Sequence, residues 1–302
     1  MSSFYPNGDP HAPSIFKEVP DEPISTYFNG ITDEIIAREV ALRAENSLIN
    51  LIFKDSGQIT QGALQYNQLT DEQLQSLSEA AERQPGEEFA MVFQPEANLQ
   101  SEKVRQFGAK TEITYEAVRR NDRNEYDAML TFLALTIGRK LDDYVLDILG
   151  KVKDAGLINE ATIDVSPITR NTPIGETFIG DVVEMAAMAS EGEFSVGYDM
   201  LILRPQMAAW MRFQEKTTGI DLEQDFGIKT VTNNALPKDT GYLIDSSKVG
   251  EVYWEDGLTT ETFDDKTRHV HIAQAWASPA AAVTMPKAIM HMDIQFKAAE
   301  EK

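Results

Sequence analysis

Two histidines stand one residue apart in His269-Val270-His271-Ile272. On a β-strand this alternation puts both imidazoles on one face, as some metal-binding pairs do. The supply of further ligands is thin. His11 and His291 complete the histidines and there is no cysteine, so a full coordination set would need carboxylates from distant parts of the chain. A solvated strand face is the simpler reading. Gly57 and Gly62 in GQITQG have the spacing of a phosphate-binding loop. Ala63 and Leu64, however, stand where a lysine and a Ser/Thr must reach phosphate and magnesium. Asp142 and Asp143 are adjacent, and neighbours on a helix point in different directions rather than at one substrate. There is no Gly-x-Ser-x-Gly elbow and no His-Glu-x-x-His pair. The absence of cysteine removes disulfides, thiolate metal sites and a cysteine nucleophile together. Neither a catalytic group, nor a cofactor, nor a metal is expected.

The bulk numbers narrow the partners. With 302 residues, 42% of them hydrophobic, the chain can bury roughly three quarters of its surface, and two lobes are expected. The 49 acidic residues against 27 basic give a formal charge of -22. Such a surface repels phosphates and disfavours nucleic acid as a ligand. No apolar run is long enough to cross a membrane as a helix, and the opening Met-Ser-Ser-Phe-Tyr-Pro is not a charged-then-apolar leader. Synthesis and residence in a cytosol are expected.

The elements that carry these residues are dominated by one. Residues 107–150 read as an uninterrupted helix of about ten turns, roughly 50 Å long. Its single apolar stripe is Tyr126, Leu130, Leu133, Ile137, Leu141, Tyr144 and Ile148. Thr114 is the expected N-cap and Gly150 the expected C-terminal stop. Residues 32–53 form a shorter amphipathic helix through Ile35, Ile36, Val40, Leu42 and Leu48. Before it, residues 1–30 hold Pro6, Pro10, Pro13, Pro20 and Pro23 among polar residues. That arm has too little apolar surface to pack alone and is expected to be held by a neighbouring copy.

Between the two helices lie about 55 residues, too many for an ordinary connection. Residues 62–66 and 88–93 read as the strands of a long hairpin, with Phe89, Met91 and Phe93 on one face and Pro85-Gly86 as a turn signal. Its middle is acidic, through Asp71, Glu72, Glu79, Glu82, Glu87 and Glu88. After Gly150 the pattern becomes mixed: strands at 161–165 and 199–203, helices at 176–189 and 206–213, and an irregular stretch to about Asp239. Phe178, Ile179, Val182, Val183 and residues 185–188 of the first helix are expected to be largely buried. Close-set strands follow at 242–244, 252–254, 259–263 and 269–276, then one closing strand from Pro279 and Pro286 into Ile289 and Met292.

Several of these segments carry a resemblance. Pro85-Gly86-Glu87-Glu88-Phe89, Phe107-Gly108-Ala109-Lys110, Ile113-Thr114-Tyr115-Glu116, Arg119-Arg120-Asn121-Asp122, Val249-Gly250 and the run 258–262 before Gln274-Ala275-Trp276 together resemble major capsid proteins of tailed double-stranded DNA bacteriophages. The resemblance covers most of the chain after residue 30. It implies an α+β fold, the tailed-phage major capsid protein fold: an N-terminal arm (1–55), an extended β-hairpin loop (56–109), a peripheral domain with a long spine helix (110–171 and 249–302) and an axial domain (172–248).

By the same resemblance, the chain is a non-catalytic structural protein that self-assembles as pentamers and hexamers into the icosahedral shell around phage DNA. Its main partner is itself. A separate scaffolding protein is expected, since no long helical extension stands at the N-terminus; a portal occupies one vertex, and a decoration protein is compatible. The packaged DNA is not specifically bound and no membrane is involved. Virion capsid is the implied location, with synthesis and assembly in the host cytoplasm. Some members weld neighbours through a lysine on the extended loop, but no lysine occurs between Lys54 and Lys103, so no such crosslink is expected. The acidic loop residues Glu82, Glu87 and Glu88 are expected to dock on the basic spine start, Arg119, Arg120 and Arg123, of a neighbour. An encapsulin-type compartment of the same fold is the nearest alternative, and an acidic metal-dependent hydrolase a remote one.

Overall fold

A computed structural model describes residues 47–69, 98–119, 123–165, 172–173, 175, 177–191 and 195–296. The expected proline-rich arm, most of the 32–53 helix, the 88–93 strand and the acidic loop middle lie outside the described residues. In chain order, helix α1 (Leu48–Ile52) leads to β1 (Lys54–Gln58), β2 (Ala63–Asn67), β3 (Leu99–Lys103) and β4 (Phe107–Thr114). The short α2 (Tyr115–Arg119), the long α3 (Arg123–Asp154) and β5 (Asn159–Val165) follow. Next come α4 (Phe178–Glu191), β6 (Met200–Leu203), α5 (Pro205–Thr218), α6 (Leu222–Phe226) and β7 (Lys229–Thr232). The chain ends in β8 (Thr240–Ile244), β9 (Gly250–Trp254), β10 (Thr259–Asp265), β11 (Val270–Ala277), β12 (Pro279–Val283) and β13 (Ile289–Phe296).

The chain divides into two compact units, one of Met1–Leu64, Ser101–Val145 and Glu251–Ala282, the other of Gln65–Gln100, Leu146–Gly250 and Val283–Lys302. In the first unit β9 lies between β1 and β12, and β11 lies between β10 and β4. The residues 107–114, expected to be helical, form a strand instead. Every position from Phe107 to Thr114 is paired antiparallel with β11, from Ala277 back to Val270. Their side chains alternate in exposure down to the buried Ile113. Partnered hydrogen bonds along a whole strand outweigh the weak helical preference of a segment rich in β-branched residues. The expected cap does hold, because Thr114 Oγ1 accepts the Ala117 amide at 3.2 Å, starting α2.

The α3 stripe is buried as expected: Leu130, Leu133, Ile137, Leu141, Tyr144 and Ile148 are each no more than 5% exposed. Tyr144 also uses its hydroxyl, which accepts the Ala281 amide at 3.1 Å, while its ring meets Phe107 at 5.3 Å. The helix passes Gly150 and stops at Asp154. What ends it is Gly156, in the left-handed region at φ 68, where any other residue would be strained.

The second unit is built on a five-stranded mixed sheet in the order β5-β13-β8-β6-β7. Its middle is apolar on both faces, with Leu201, Ile202, Leu203, Leu243 and Ile244 fully buried. That is why β6 reads as a continuous apolar run rather than an alternating one. Gly241 faces Leu203 on one side and Met292 on the other. A Cβ there would lie 2.9 Å from Leu203 Cδ2 and 3.0 Å from Met292 Cε, so the sheet closes at this point only around glycine.

This region differs from its expected form in three places. α5 runs on to Thr218, α6 and β7 occupy the stretch expected to be irregular, and the closing strand is two strands separated by a turn at Pro286–Ala288. α6 is capped by Asp221, whose Oδ1 accepts the Glu223 and Gln224 amides at 3.0 and 3.1 Å. Met188 is 64% exposed, because only the first turns of α4 face the core.

His291 on β13 is 5% exposed. Lys153 Nζ donates to its Nε2 at 3.2 Å, and a lysine ammonium can only donate, so this nitrogen carries no proton. Burial first, then the Lys153 charge, hold the imidazole pKa below its ordinary value, against smaller opposing effects of Glu160 and Asp293. The Tyr242 ring closes the pocket edge-on at 5.2 Å. Unfolding lets His291 take up a proton. Its contribution to stability is therefore constant above the unfolded pKa of about 6.5 and is lost as pH falls below it. Thermal melts should show a lower Tm at pH 5.5 than at 7.5, with a smaller difference in His291→Gln, whose amide still accepts from Lys153.

Candidate functional site

The residues singled out for chemistry are placed in structural roles. Gly57 lies within β1 and Gly62 leads into the strand β2, whereas a phosphate loop needs a helix N-terminus directly after it. His269 and His271 do not share a strand face, because His269 sits in the hairpin turn at φ 54 and only His271 belongs to β11. Both rings nevertheless flank Tyr115, at 5.6 and 4.6 Å between centroids. Among the described residues there is no group of three or more His, Asp or Glu side chains arranged to hold a metal.

What these residues build is a clamp on the β4–α2 junction. His271 Nδ1 pairs with Asp264 at 2.5 Å. The Tyr115 amide donates to the His269 carbonyl at 3.0 Å. The Tyr115 hydroxyl has a raised pKa, through desolvation first and the Asp264 charge next. Arg268 grips Glu112 on β4 through two bonds of 2.7 Å, the fork-to-carboxylate geometry that fixes orientation best. Asp265 ties the turn by accepting the Thr267 and Arg268 amides at 3.0 and 3.3 Å. The hairpin tip thus sets the direction in which the chain leaves β4 for α2. Chemically the arrangement offers neither a nucleophile beside a base nor a polarised cavity; it is a positioning device.

α3 carries a feature the stripe analysis missed. Phe132 is 69% and Leu135 58% exposed, one turn apart on the side of the helix away from the stripe. A second apolar strip therefore exists where one stripe was expected. On that same side, two turns after Leu135, Asp142 Oδ1 accepts the Leu48 amide at 2.7 Å and the Ser47 hydroxyl at 3.0 Å. The carboxylate considered for catalysis anchors the backbone where the chain leaves the N-terminal region.

Comparison with known proteins decides what such a molecule is. The model of a family described as phage capsid protein matches residues 99–291. The chain belongs to the phage capsid protein family. No curated protein matches it. Among solved structures it is similar to a virus-like particle from Pyrococcus furiosus, at 11% identity and a TM-score of 0.54 over 84% of this chain and 96% of that one. It is similar also to Mycobacterium phage Bobi, at 14% identity and a TM-score of 0.55 over 83% and 91%. A phage-related protein from Bordetella bronchiseptica RB50 aligns at 13% identity and a TM-score of 0.53 over 89% and 95%. At such identities the likeness establishes the fold, the α+β major capsid fold of tailed phages. The chain is thus a phage major capsid protein: structural, self-associating into a shell and located in the virion capsid.

In this capsid protein the expected assembly contacts are placed only by backbone. Arg119 is the last residue of α2 and Arg123 the first of α3; Arg120, Glu82, Glu87 and Glu88 lie outside the described residues. The Asp142 anchor is fully placed. Ser47 and Leu48 are both buried, so removing their acceptor leaves a hydroxyl and an amide unpaired. Asp142→Ala should destabilise the subunit by about 1–3 kcal/mol and speed limited proteolysis next to Ser47. Asp142→Asn, which keeps an acceptor oxygen, should lose less in both measurements.

Proposed function

We propose that this capsid protein assembles as pentamers and hexamers into an icosahedral shell around double-stranded phage DNA and that it catalyses no reaction. The observation that carries this is the family match along residues 99–291. In this reading residues 1–55 are the arm, 56–109 the extended loop, 110–171 with 249–302 the peripheral domain and 172–248 the axial domain. The scaffolding protein is a separate chain, a portal fills one vertex, and assembly takes place in the host cytoplasm before DNA enters. Negatively stained particles from infected cells should be DNA-filled shells with one tail vertex. Small cargo-filled cages would instead favour an encapsulin-type compartment, a reading the likeness to the archaeal virus-like particle keeps in view. A native mass of a few subunits would discard both.

Two features of the contacts follow. The acidic loop, through Glu82, Glu87 and Glu88, docks on a neighbour's Arg119, Arg120 and Arg123. Each such exposed pair contributes only about 0.2–1 kcal/mol and is screened by salt. Arg120→Glu should cut particle yield, measured by sedimentation, while leaving the subunit's melting temperature unchanged; a normal yield would reject the docking. Because the loop has no lysine between Lys54 and Lys103, neighbours are not welded. Denaturing gels of particles should show a single band near 33.7 kDa, and a covalent ladder would refute this.

A further inference from the structure

Two helices of the second unit, α4 and α5, each of 14 residues, leave exposed faces of opposite charge. On α4 the exposed Glu184 and Glu191 stand one turn to either side of Met188, which is 64% exposed. On α5 the exposed Arg212 and Lys216 are one turn apart, with Phe213 beside them at 59%. We propose that these faces form a head-to-tail contact between copies: Arg212, Phe213 and Lys216 of one subunit seat on Glu184, Met188 and Glu191 of the next. The contact rests on the pentamer and hexamer reading and gives it named residues.

The two faces do not satisfy each other within the subunit. α4 and α5 pack together through Phe178 and Trp210, 6.0 Å between ring centroids, yet none of the four charged side chains has an ion-pair partner among the described residues. Asp181, one turn before Glu184, has a raised pKa, through burial first and then the Glu184 and Asp164 charges, so this stretch of α4 is crowded with like charge. Opposite signs favour one face against the other over either face against itself. Position then favours a ring over a two-fold pair. α4 packs beside β5 and α5 beside β7, the two outer strands of the sheet, about 19 Å apart at the usual strand spacing. A subunit with its acidic face by one edge and its basic face by the other can join a third copy after a second, which is what closes a ring. The apolar centres add to the charges, because a methionine sulfur against an aromatic ring is a favourable contact. In a chain with 49 acidic against 27 basic residues, copies repel one another in general, and an unpartnered basic face tells a neighbour where to dock.

The chain has no cysteine, so introduced thiols report on this contact alone. Particles of Met188→Cys/Phe213→Cys, oxidised after assembly, should run on a non-reducing gel as a ladder ending at linked pentamers and hexamers. Neither single variant should give one. A ladder that stops at dimers would overturn the ring by showing a two-fold pair; a link within one chain, or no link in well-formed particles, would overturn the contact while leaving the shell reading in place. A wild-type chain that forms no shell would overturn that reading and the contact with it. Charge exchange gives a second readout, free of any effect of the thiols on folding. Arg212→Glu/Lys216→Glu should lower particle yield, measured by sedimentation, roughly fivefold with the subunit's melting temperature unchanged, and Glu184→Lys/Glu191→Lys should do the same. All four substitutions together should restore the yield, because the faces have exchanged signs and fit again. A fourfold variant that assembles no better than the two pairs, or a normal yield in either pair, would reject the proposal.

Discussion

A helix of 32 residues that buries one continuous face must leave its other face to something else, and this constraint organises the molecule. The buried face takes Leu130, Leu133, Ile137 and Leu141 into the core with almost no exposed area. Each buried aliphatic side chain of this size contributes about 1.5–3 kcal/mol, enough to hold the helix against its own fraying. On the opposite side Phe132 and Leu135 stay exposed. A surface backed by a packed core is what a shell needs, because a contact repeated through many copies adds up only if every copy presents it in the same place.

The acidic excess fits the same picture in a less obvious way. Five of the 49 carboxylates, for example, are acceptors for backbone amides at places where the chain turns. Asp142 takes Leu48, Asp221 takes Glu223 and Gln224, Asp245 takes Gly197 and Ser247, Asp199 takes Ser246, and Asp265 takes Thr267 and Arg268. A short charged side chain satisfies orphan amides at loop starts and helix starts better than a neutral one. These five charges tie loops and helix starts as well as adding to the acidic excess. Lysines and arginines, fewer in number, are spent on particular partners, as Lys153 is on His291 and Arg268 on Glu112.

What could be read from residues alone was the part governed by long periodic patterns. The α3 stripe, the strand at 161–165 and the late run of strands all carry several residues of consistent spacing, so local errors average out. The family resemblance was legible for the same reason, through the order of many short segments rather than any one of them. β4 was not legible, because eight residues beside a helix start are too few to show a period and only their pairing with β11 decides the matter. α6 and β7, at five and four residues, fall under the same limit. Phe132 and Leu135 were visible as letters, yet with one good stripe in hand an apolar pair off that stripe carries no weight until its exposure is known. His269 and His271 show the converse: their alternation suggested a strand face, and a positive φ at His269 removes one of them from it.

Marginal individual contacts are an advantage in a closed shell rather than a weakness. An exposed ion pair or a half-covered leucine contributes too little to trap a misplaced subunit, so wrong contacts dissolve while correct ones accumulate around each symmetry axis. This works only if the interior of each subunit is much firmer than its edges, or binding would deform the subunit instead of selecting the right neighbour. The second unit meets that requirement through a sheet whose central strand packs to the limit at Gly241 and whose core residues leave no exposed area. The first unit meets it through eight consecutive rungs between β4 and β11 and the side-chain clamp at the hairpin tip.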